Sequence, residues 1–471
     1  MRGMMRGVRL SEVCGWQRLC AGLLALAACC GGAAERLGAA EAEPGLSAAD
    51  TSGEATRLIR QLGDPQRSRR EAATERLEAF GPQVLPLLEA ETPQPPGGEA
   101  AWRLRMLRER LETRAIAAAM EPTLVDGIPA GTPVPEAFAA VFASPGGEIA
   151  MAAGVGAGRV VSETPQATGA DHTYWEEVER LLADAGGVLT SAGGDGDHLL
   201  IRPYEDQTPR LQDDEAPRPP TAAAGPLRVD VLRAVAVPPE QPQAIRLTLR
   251  IAWEPRLRPI MLQLPMGSLI AEGPAGEGVP PKQRQAVVEA SPPGERGWLA
   301  MSLLLDPPPA SLDRVAILRG TLRIWLPASD VEARFPLSPT SPEPVERRFG
   351  DAVVRLESAS VGEQTLTVRL RADYPATEAL ASHRTWLAER RLQCHLEGAE
   401  LQAVSDRVVR RDERGIAREA VFRLPENGVS AGTAAVISWR LPLAIRDVPV
   451  DFLLQGIPLP YPSDAKNPAP Q

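Results

Sequence analysis

The feature that most constrains this chain is a degenerate duplication in its second half. Residues 227–345 and 346–460 read as two versions of one all-β segment. The first opens with Leu227, Val229 and Val231 alternating with polar residues, followed by Ile245, Leu247, Leu249 and Ile251. The second opens with Val354 and Leu356, followed by Leu366, Val368 and Leu370. An apolar period of two marks a half-buried strand. Each strand pair is followed by a proline, Pro255 or Pro375. Each copy then closes alike, with Leu326-Pro327 before Val331 and Phe335, and Leu441-Pro442 before Val448 and Phe452. A residue four places along a strand returns to the same face, so the valine and phenylalanine of each pair share one core. The copies differ in one place. The second carries an inserted helical stretch at about 377–391, with Leu380, Trp386 and Leu387, where the first has a proline- and glycine-rich loop at 273–297.

About 110 residues per copy, with short strands and frequent Pro/Gly turns, fit a β-sandwich of immunoglobulin-like size. One larger sandwich built from both copies is the alternative.

The pattern upstream is different. Residues 51–120 are helical, and Asp64-Pro65 reads as a cap and first-turn proline for a helix through Ala73, Leu77 and Phe80 that Gly81 ends. A short helix with Val84, Leu87 and Leu88 follows, then a third with Leu104, Leu107 and Leu111 on one face. The spacing of Asp64, Arg69, Ala73, Leu77, Gly81, Pro86 and Leu87 resembles a HEAT-type repeat. Such repeats present surfaces to other proteins, but one repeat makes no solenoid and is expected to cap the next domain. Arg103, Arg105, Arg108, Arg110 and Arg114 are balanced by Glu99, Glu109 and Glu112 and read as solvated helix faces.

Residues 121–203 alternate strands with helices. Strands are expected at 123–125, 148–151, 160–163, 188–190 and 198–201, and helices at 135–143 and behind a Thr173/Glu176 capping box. That β-α-β-β-α-β-β order, with Trp175, Val178, Leu181 and Leu182 on the second helix, resembles the short N-terminal domains of secretins and TonB-dependent receptors. The resemblance implies a periplasmic docking module. An acidic, proline-rich linker at 204–226 separates it from the β copies. The expected fold class is thus multi-domain α+β: N-terminal HEAT-like helical hairpins, a small α/β domain, two all-β sandwich-like repeats, and a disordered tail at 461–471.

The N-terminus has the layout of an export leader, assigned to residues 1–42. Arg2, Arg6, Arg9 and Arg18 precede an alanine- and leucine-rich run at 19–30, which is too short to span a bilayer. Within it Leu26-Ala27-Ala28-Cys29 resembles a bacterial lipobox, and Cys29 is the candidate lipidation site. Small residues at Gly32 and Ala34, or Ala40 and Ala42, suit simple cleavage instead. No transmembrane helix is expected in the mature chain. Cys14, Cys20, Cys29 and Cys30 fall in the leader, which leaves Cys394 without a disulfide partner.

Each residue cluster with a chemical reading also has a structural one. Cys394 and His395 are adjacent, but strand alternation sends them to opposite faces, against a thiolate and its base. His172 and Glu176 are four apart without a third metal ligand, and the capping box accounts for Glu176. Gly193-Gly194-Asp195-Gly196-Asp197-His198 lacks the terminal glutamate of a calcium loop and reads as a hairpin turn. Asp213, Asp214 and Glu215 read as solvated linker charges, and Trp253, Trp325 and Trp439 as core anchors. A G-x-S-x-G elbow, an H-E-x-x-H pair and a P-loop are all missing from the sequence. The net charge of -10 argues against nucleic acid as a partner. The expectation is an extracytoplasmic, non-enzymatic interaction or scaffolding protein with envelope proteins as partners and no cofactor. The alternatives are a secretion or pilus component, and an enzyme or carbohydrate-binding protein with an unfamiliar site.

Overall fold

A computed structural model describes residues 48–90, 98–143, 149–162, 172–191, 199–203, 219–238, 243–292, 297–309, 312–337, 344–374, 387, 390–425 and 435–460. The chain divides into two units, Met1–Asp50 and Thr51–Gln471, and the sheets and cores all belong to the second. It is an α+β protein in which strands predominate, with helices gathered near the N-terminus. Cys29, the loop at 193–198, the charges at 213–215, Trp386 and the tail at 461–471 lie outside the described residues.

The helical part comprises α1 (Ala48–Gln61), α2 (Arg67–Phe80), a 3-10 turn at Pro82–Val84, α3 (Leu85–Ala90) and α4 (Glu99–Met120). Leu58, Leu62, Leu77, Leu88, Leu104, Leu107 and Leu111 form its core. Gly81, with φ of 77°, stops α2 as expected, because a left-handed residue there suits glycine. The start differs from the expectation. Gln66, not Asp64, is the N-cap, and Asp64 Oδ1 accepts from the Gln66 amide at 2.8 Å in the turn before the helix.

Next come β1 (Leu124–Val125), α5 (Val134–Ala143), β2 (Ala150–Met151), β3 (His172–Thr173), α6 (Tyr174–Ala185), β4 (Gly187–Ser191) and β5 (Leu199–Pro203). The strands pair as β1-β3 and as β2-β5-β4, with β2 parallel to β5. The third strand is β3. Val160, expected inside a strand, makes only an isolated bridge to Pro133. Tyr174, Trp175, Val178, Leu181, Leu182 and Ala185 fall on one face of α6 and are buried. Gly186, left-handed at φ 60°, closes that helix by donating to the Ala183 and Leu182 carbonyls.

The first β copy contains β6 (Thr221–Ala224), β7 (Leu227–Val237), β8 (Ala244–Trp253), β9 (Met261–Pro265), β10 (Ile270–Glu272), β11 (Val287–Ala290), β12 (Trp298–Leu305) and β13 (Arg314–Leu337). The second contains β14 (Val345–Phe349), β15 (Ala352–Val361), β16 (Thr365–Asp373), β17 (Leu392–Leu396), β18 (Ala399–Glu400), β19 (Ala403–Arg411), β20 (Gly415–Arg423) and β21 (Ala435–Pro458). Two expectations change here. The stretch read as the end of a linker holds β6, which pairs with β7, and the Pro/Gly-rich loop holds β11, which pairs with β9.

The outer sheets of the two copies share one strand order. β12-β8-β7-β6 forms one sheet, and β20-β16-β15-β14 repeats that order with β19 added at one edge. Both sheets break register at the same place, between Val231 and Arg233 and between Leu356 and Ser358. These four- and five-stranded sheets pack on a single shared sheet, β11-β9-β13-β21-β17-β18, in which β10 also pairs with β13.

β13 and β21 are each 24 residues long and pair antiparallel from Arg314↔Pro458 to Leu337↔Ala435, forming a spine through both sandwiches. The structure therefore matches neither two separate sandwiches nor one. It has two cores and one continuous sheet. Val331 and Phe335, from the first copy, lie in the core with Val354, Leu370 and Phe422 of the second. Phe452, from the second copy, lies with Val229, Ile251 and Met301 of the first, and Val448 packs against that core. Each valine–phenylalanine pair shares one core, as the spacing requires, but it is the core of the other copy.

The exchange has a dyad. Val331 and Val448 stand 117 positions apart, as do Phe335 and Phe452. Val331 faces Leu441 across the ladder, and Val448 faces Ile324. The axis relating these pairs passes beside Ala328 and Ala444, where the ladder steps from Pro327↔Ile445 to Ser329↔Leu443. Ala444 has φ of 50°, a left-handed conformation that a residue with a Cβ adopts at some cost. Away from the axis the match is looser. Gly320 stands opposite Phe452, and a Cβ there would come within 3.1 Å of the ring and 2.6 Å of Leu269 Cδ2.

Candidate functional site: the junction at the spine crossing

The helical part seats on the spine close to this dyad. Ala328 packs against both the first β core and the helical core. Around it are Glu89 from α3, Arg108 and Glu112 from α4, Ser329 from β13, Arg446 from β21, and Gly350 and Asp351 from the turn joining β14 to β15. Glu89 is 1% exposed and Glu112 4%. Arg446 Nη2 donates to Glu112 Oε2 at 2.5 Å, and Arg108 Nε lies 3.3 Å from Oε1. Ser329 Oγ donates to Glu89 Oε1 at 3.2 Å. Gly350, left-handed at φ 55°, brings the turn so close that a Cβ would sit 2.8 Å from Glu89 Oε2.

Burial pushes the Glu89 carboxyl up to about 7. The guanidinium of Arg108 and the Ser329 hydroxyl work against that rise, while Glu112 and Asp351 add to it. A charged carboxylate without its hydration is costly, so this one holds a proton close to neutral pH. Both glutamates are closed off from solvent.

Two further joints use the same means. Glu254, fully buried, accepts from the Thr123 amide at 2.9 Å, the Thr123 hydroxyl at 2.5 Å and Arg256 Nε at 2.7 Å. Arg256 also donates to the carbonyls of Ala118, Ala119 and Glu121, supplying partners that the last turn of α4 lacks. At the second joint, α6 lies on the outer face of the β7–β8 sheet. There Asp230 receives Arg228 Nε at 2.7 Å, Arg250 Nε at 2.7 Å and the Thr221 hydroxyl at 3.0 Å. Arg228 also pairs with Glu179 on α6, Arg250 donates to the Leu189 carbonyl at 2.9 Å, and Trp175 Nε1 donates to the Pro226 carbonyl at 3.0 Å. Breaking such a buried pair on one side strands a charge, typically at a cost of about 3–5 kcal/mol.

Among the described residues, those singled out in the sequence come together nowhere as a reactive group. Cys394 is fully buried on β17 while His395 is only half-buried on the other face, and burial raises the thiol to about 11. Glu176 accepts from the Thr173 amide at 3.0 Å, and that bond holds its carboxyl below the usual range. His172 lies on β3. Trp253, Trp325 and Trp439 are core residues. Trp325 donates to Gln263 Oε1 at 3.0 Å and Trp439 to the Arg390 carbonyl at 3.1 Å. Among the described residues no three His, Cys, Asp or Glu side chains are placed to hold a metal, and no helix is long and apolar enough to cross a membrane.

Glu112, expected on a solvated helix face, is instead buried. Its partner Arg446 is 334 residues away, and nothing local to α4 announces it. The outer face of α4 does meet solvent. Trp102 there is 51% exposed, and an open groove runs past Met106, Thr113 and Ala117.

No family model matches this chain, and no curated protein does. Among solved structures, a conserved domain protein from Bacillus anthracis aligns with 54% of this chain and 92% of its own length, at 9% identity and a TM-score of 0.16. A likeness that slight bears on neither fold nor function.

Proposed function

We propose that this is a non-enzymatic scaffolding protein of the bacterial envelope, which holds partner-binding surfaces at fixed separation outside the cytoplasm. The observation that carries the reading is the spine. Two paired strands of 24 residues run through both sandwiches, a length of about 80 Å at the usual rise per residue. The helices meet it through the Glu112–Arg446 ion pair, and the small α/β domain meets the adjoining β7–β8 sheet through the Arg228–Glu179 pair and the Arg250–Leu189 and Trp175–Pro226 hydrogen bonds. A rigid strut with modules along it suits spacing and docking. The exposed Trp102 on α4 is a natural anchor for a partner, since tryptophan is enriched at binding hot spots.

Chemical crosslinking in intact cells followed by mass spectrometry tests the proposal. Crosslinks to other envelope proteins through α4 or the outer sheet faces are expected. A secretin-class partner would place the protein in a secretion machine. A partner-free result together with glycan binding would overturn the scaffolding reading. Cys29 is a candidate lipid-anchor site separate from the scaffolding reading, and labelling of the wild type but not Cys29→Ser by a palmitate analogue would establish the anchor. Unlabelled wild-type protein would leave the chain freely secreted or periplasmic.

A further inference from the structure

We propose that the outer face of the shared sheet, where β10, β13 and β21 lie side by side, binds a second copy of this chain. The proposal goes beyond the scaffolding reading and does not rest on it. In the first half of the spine, one side of the shared sheet packs on β7, β8 and β12 through Leu318, Leu322, Phe452 and Leu454. The other side meets solvent. There Ile270, Arg319 and Leu453 stand directly opposite one another on three neighbouring strands, and all three are exposed. Thr321 and Asp451 form the next row, and Val287 lies on the same face at the β11 edge.

An antiparallel sheet with one face in the core normally keeps polar residues on the face turned to water. Ile270, Leu453 and Val287 depart from that pattern, at 41%, 48% and 48% exposed. Clustered apolar exposure of this kind marks an interaction surface.

The charges around Leu453 say what covers it. Arg319 pairs with no carboxylate among the described residues, and Asp451 receives only the Thr321 hydroxyl, at 2.6 Å. Arg323 and Asp447, on the same face, do pair with each other. Arg319 and Asp451 occupy one diagonal between β13 and β21, and Thr321 and Leu453 the other. An isologous contact sets one patch against itself. A two-fold axis along the Thr321–Leu453 diagonal carries Arg319 of each copy onto the partner's Asp451, twice over, and sets Leu453 against the partner's Leu453. The two sheets then cross roughly at a right angle, one of the two usual ways in which sheets pack face to face. An apolar occupant would bury both ions unpaired, and an occupant of one charge sign would leave one of them unmet. A second copy satisfies both.

Sedimentation velocity of the purified full chain over rising concentration tests the pairing, and a monomer–dimer equilibrium is expected. Arg319→Asp and Asp451→Arg each set like charges together at two places in the dimer. At about tenfold for each place, either variant alone should dimerise about a hundredfold more weakly. Mixed in equal amounts, the two variants should recover the wild-type affinity as a heterodimer, identified by its mass in native mass spectrometry, because each presents the charge the other lacks. Both residues are exposed, so neither variant loses core contacts, and mixing does not rescue a misfolded chain. A wild-type chain that stays monomeric at every concentration, a dimer that both variants leave intact, or a mixture that stays monomeric would each overturn the proposal. The scaffolding reading would still stand or fall on its own crosslinking test.

Discussion

Phe335 and Phe452 occupy equivalent positions in the two β copies, and each fills the core of the copy it does not belong to. Phe335 is fully buried among Val354, Leu370 and Trp439, and Phe452 is 4% exposed among Val229, Met301 and Leu318. The long strands carry them there, since β13 and β21 each begin in one half of the spine and end in the other.

The exchange predicts crossed effects of mutation. Phe335→Ala and Phe452→Ala should each cost about 3–5 kcal/mol, the usual range for removing a buried ring. Hydrogen exchange should locate the damage of Phe335→Ala in β15, β16 and β20, and that of Phe452→Ala in β7, β8 and β12. Damage confined to the copy that carries the mutation would contradict the exchanged arrangement.

A cut chain should hold together. With a protease site inserted between residues 338 and 343, the halves should still elute as one species after cleavage, because the β13–β21 ladder and both cores cross the cut. Either half expressed alone should lack the strand that completes its own core and behave as unfolded. Separation of the halves in gel filtration without denaturant would sink this expectation.

Asp230 should be the most costly single charge to remove at the joint beside α6. Asp230→Ala leaves Arg228 and Arg250 buried without their carboxylate, for a loss of about 3–5 kcal/mol in denaturant unfolding. Replacing Asp230 and Arg250 together by apolar residues should cost less, as fewer charges are stranded. The pH dependence has a defined sign. Burial pushes the Asp230 carboxyl up, but Arg228 and Arg250 outweigh it and hold the group below its ordinary value. Its contribution is present above about pH 4 and disappears as pH falls through the depressed value. Wild-type stability should show that acid limb, and Asp230→Ala should show a shallower one, since Asp412 and Glu176, also held below their ordinary values, remain.

The Cys394 thiol should be inert in the folded protein. It is fully buried and raised to about 11 by that burial, so little thiolate forms near neutral pH. Peptide mapping after iodoacetamide treatment should find Cys394 unmodified in buffer and alkylated in guanidinium. Rapid labelling in buffer would mean that β17 opens readily from β21.

What was legible in the sequence was local. Alternation in β15 and β16 follows from the two faces of a strand, whereas β7 and β8, expected to be half-buried, are buried on their polar face as well, at Arg228, Asp230 and Arg250 where α6 covers it. The helical face of Trp175, Val178, Leu181 and Leu182 follows from 3.6 residues per turn, and the Thr173/Glu176 box marks its own helix start. The spacing of Val331 and Phe335, and of Val448 and Phe452, correctly told that each pair faces one core. Periodicity carries no information about which core, because a strand that runs straight on and one that folds back have the same alternation. Only the tertiary pairing of β13 with β21 decided that the copies exchange their last strands, that Glu112 meets Arg446, and that Glu89 is sealed beside Ser329. Those contacts join residues hundreds of positions apart, and their energies come from desolvation and charge pairing at surfaces that do not exist until both partners have folded.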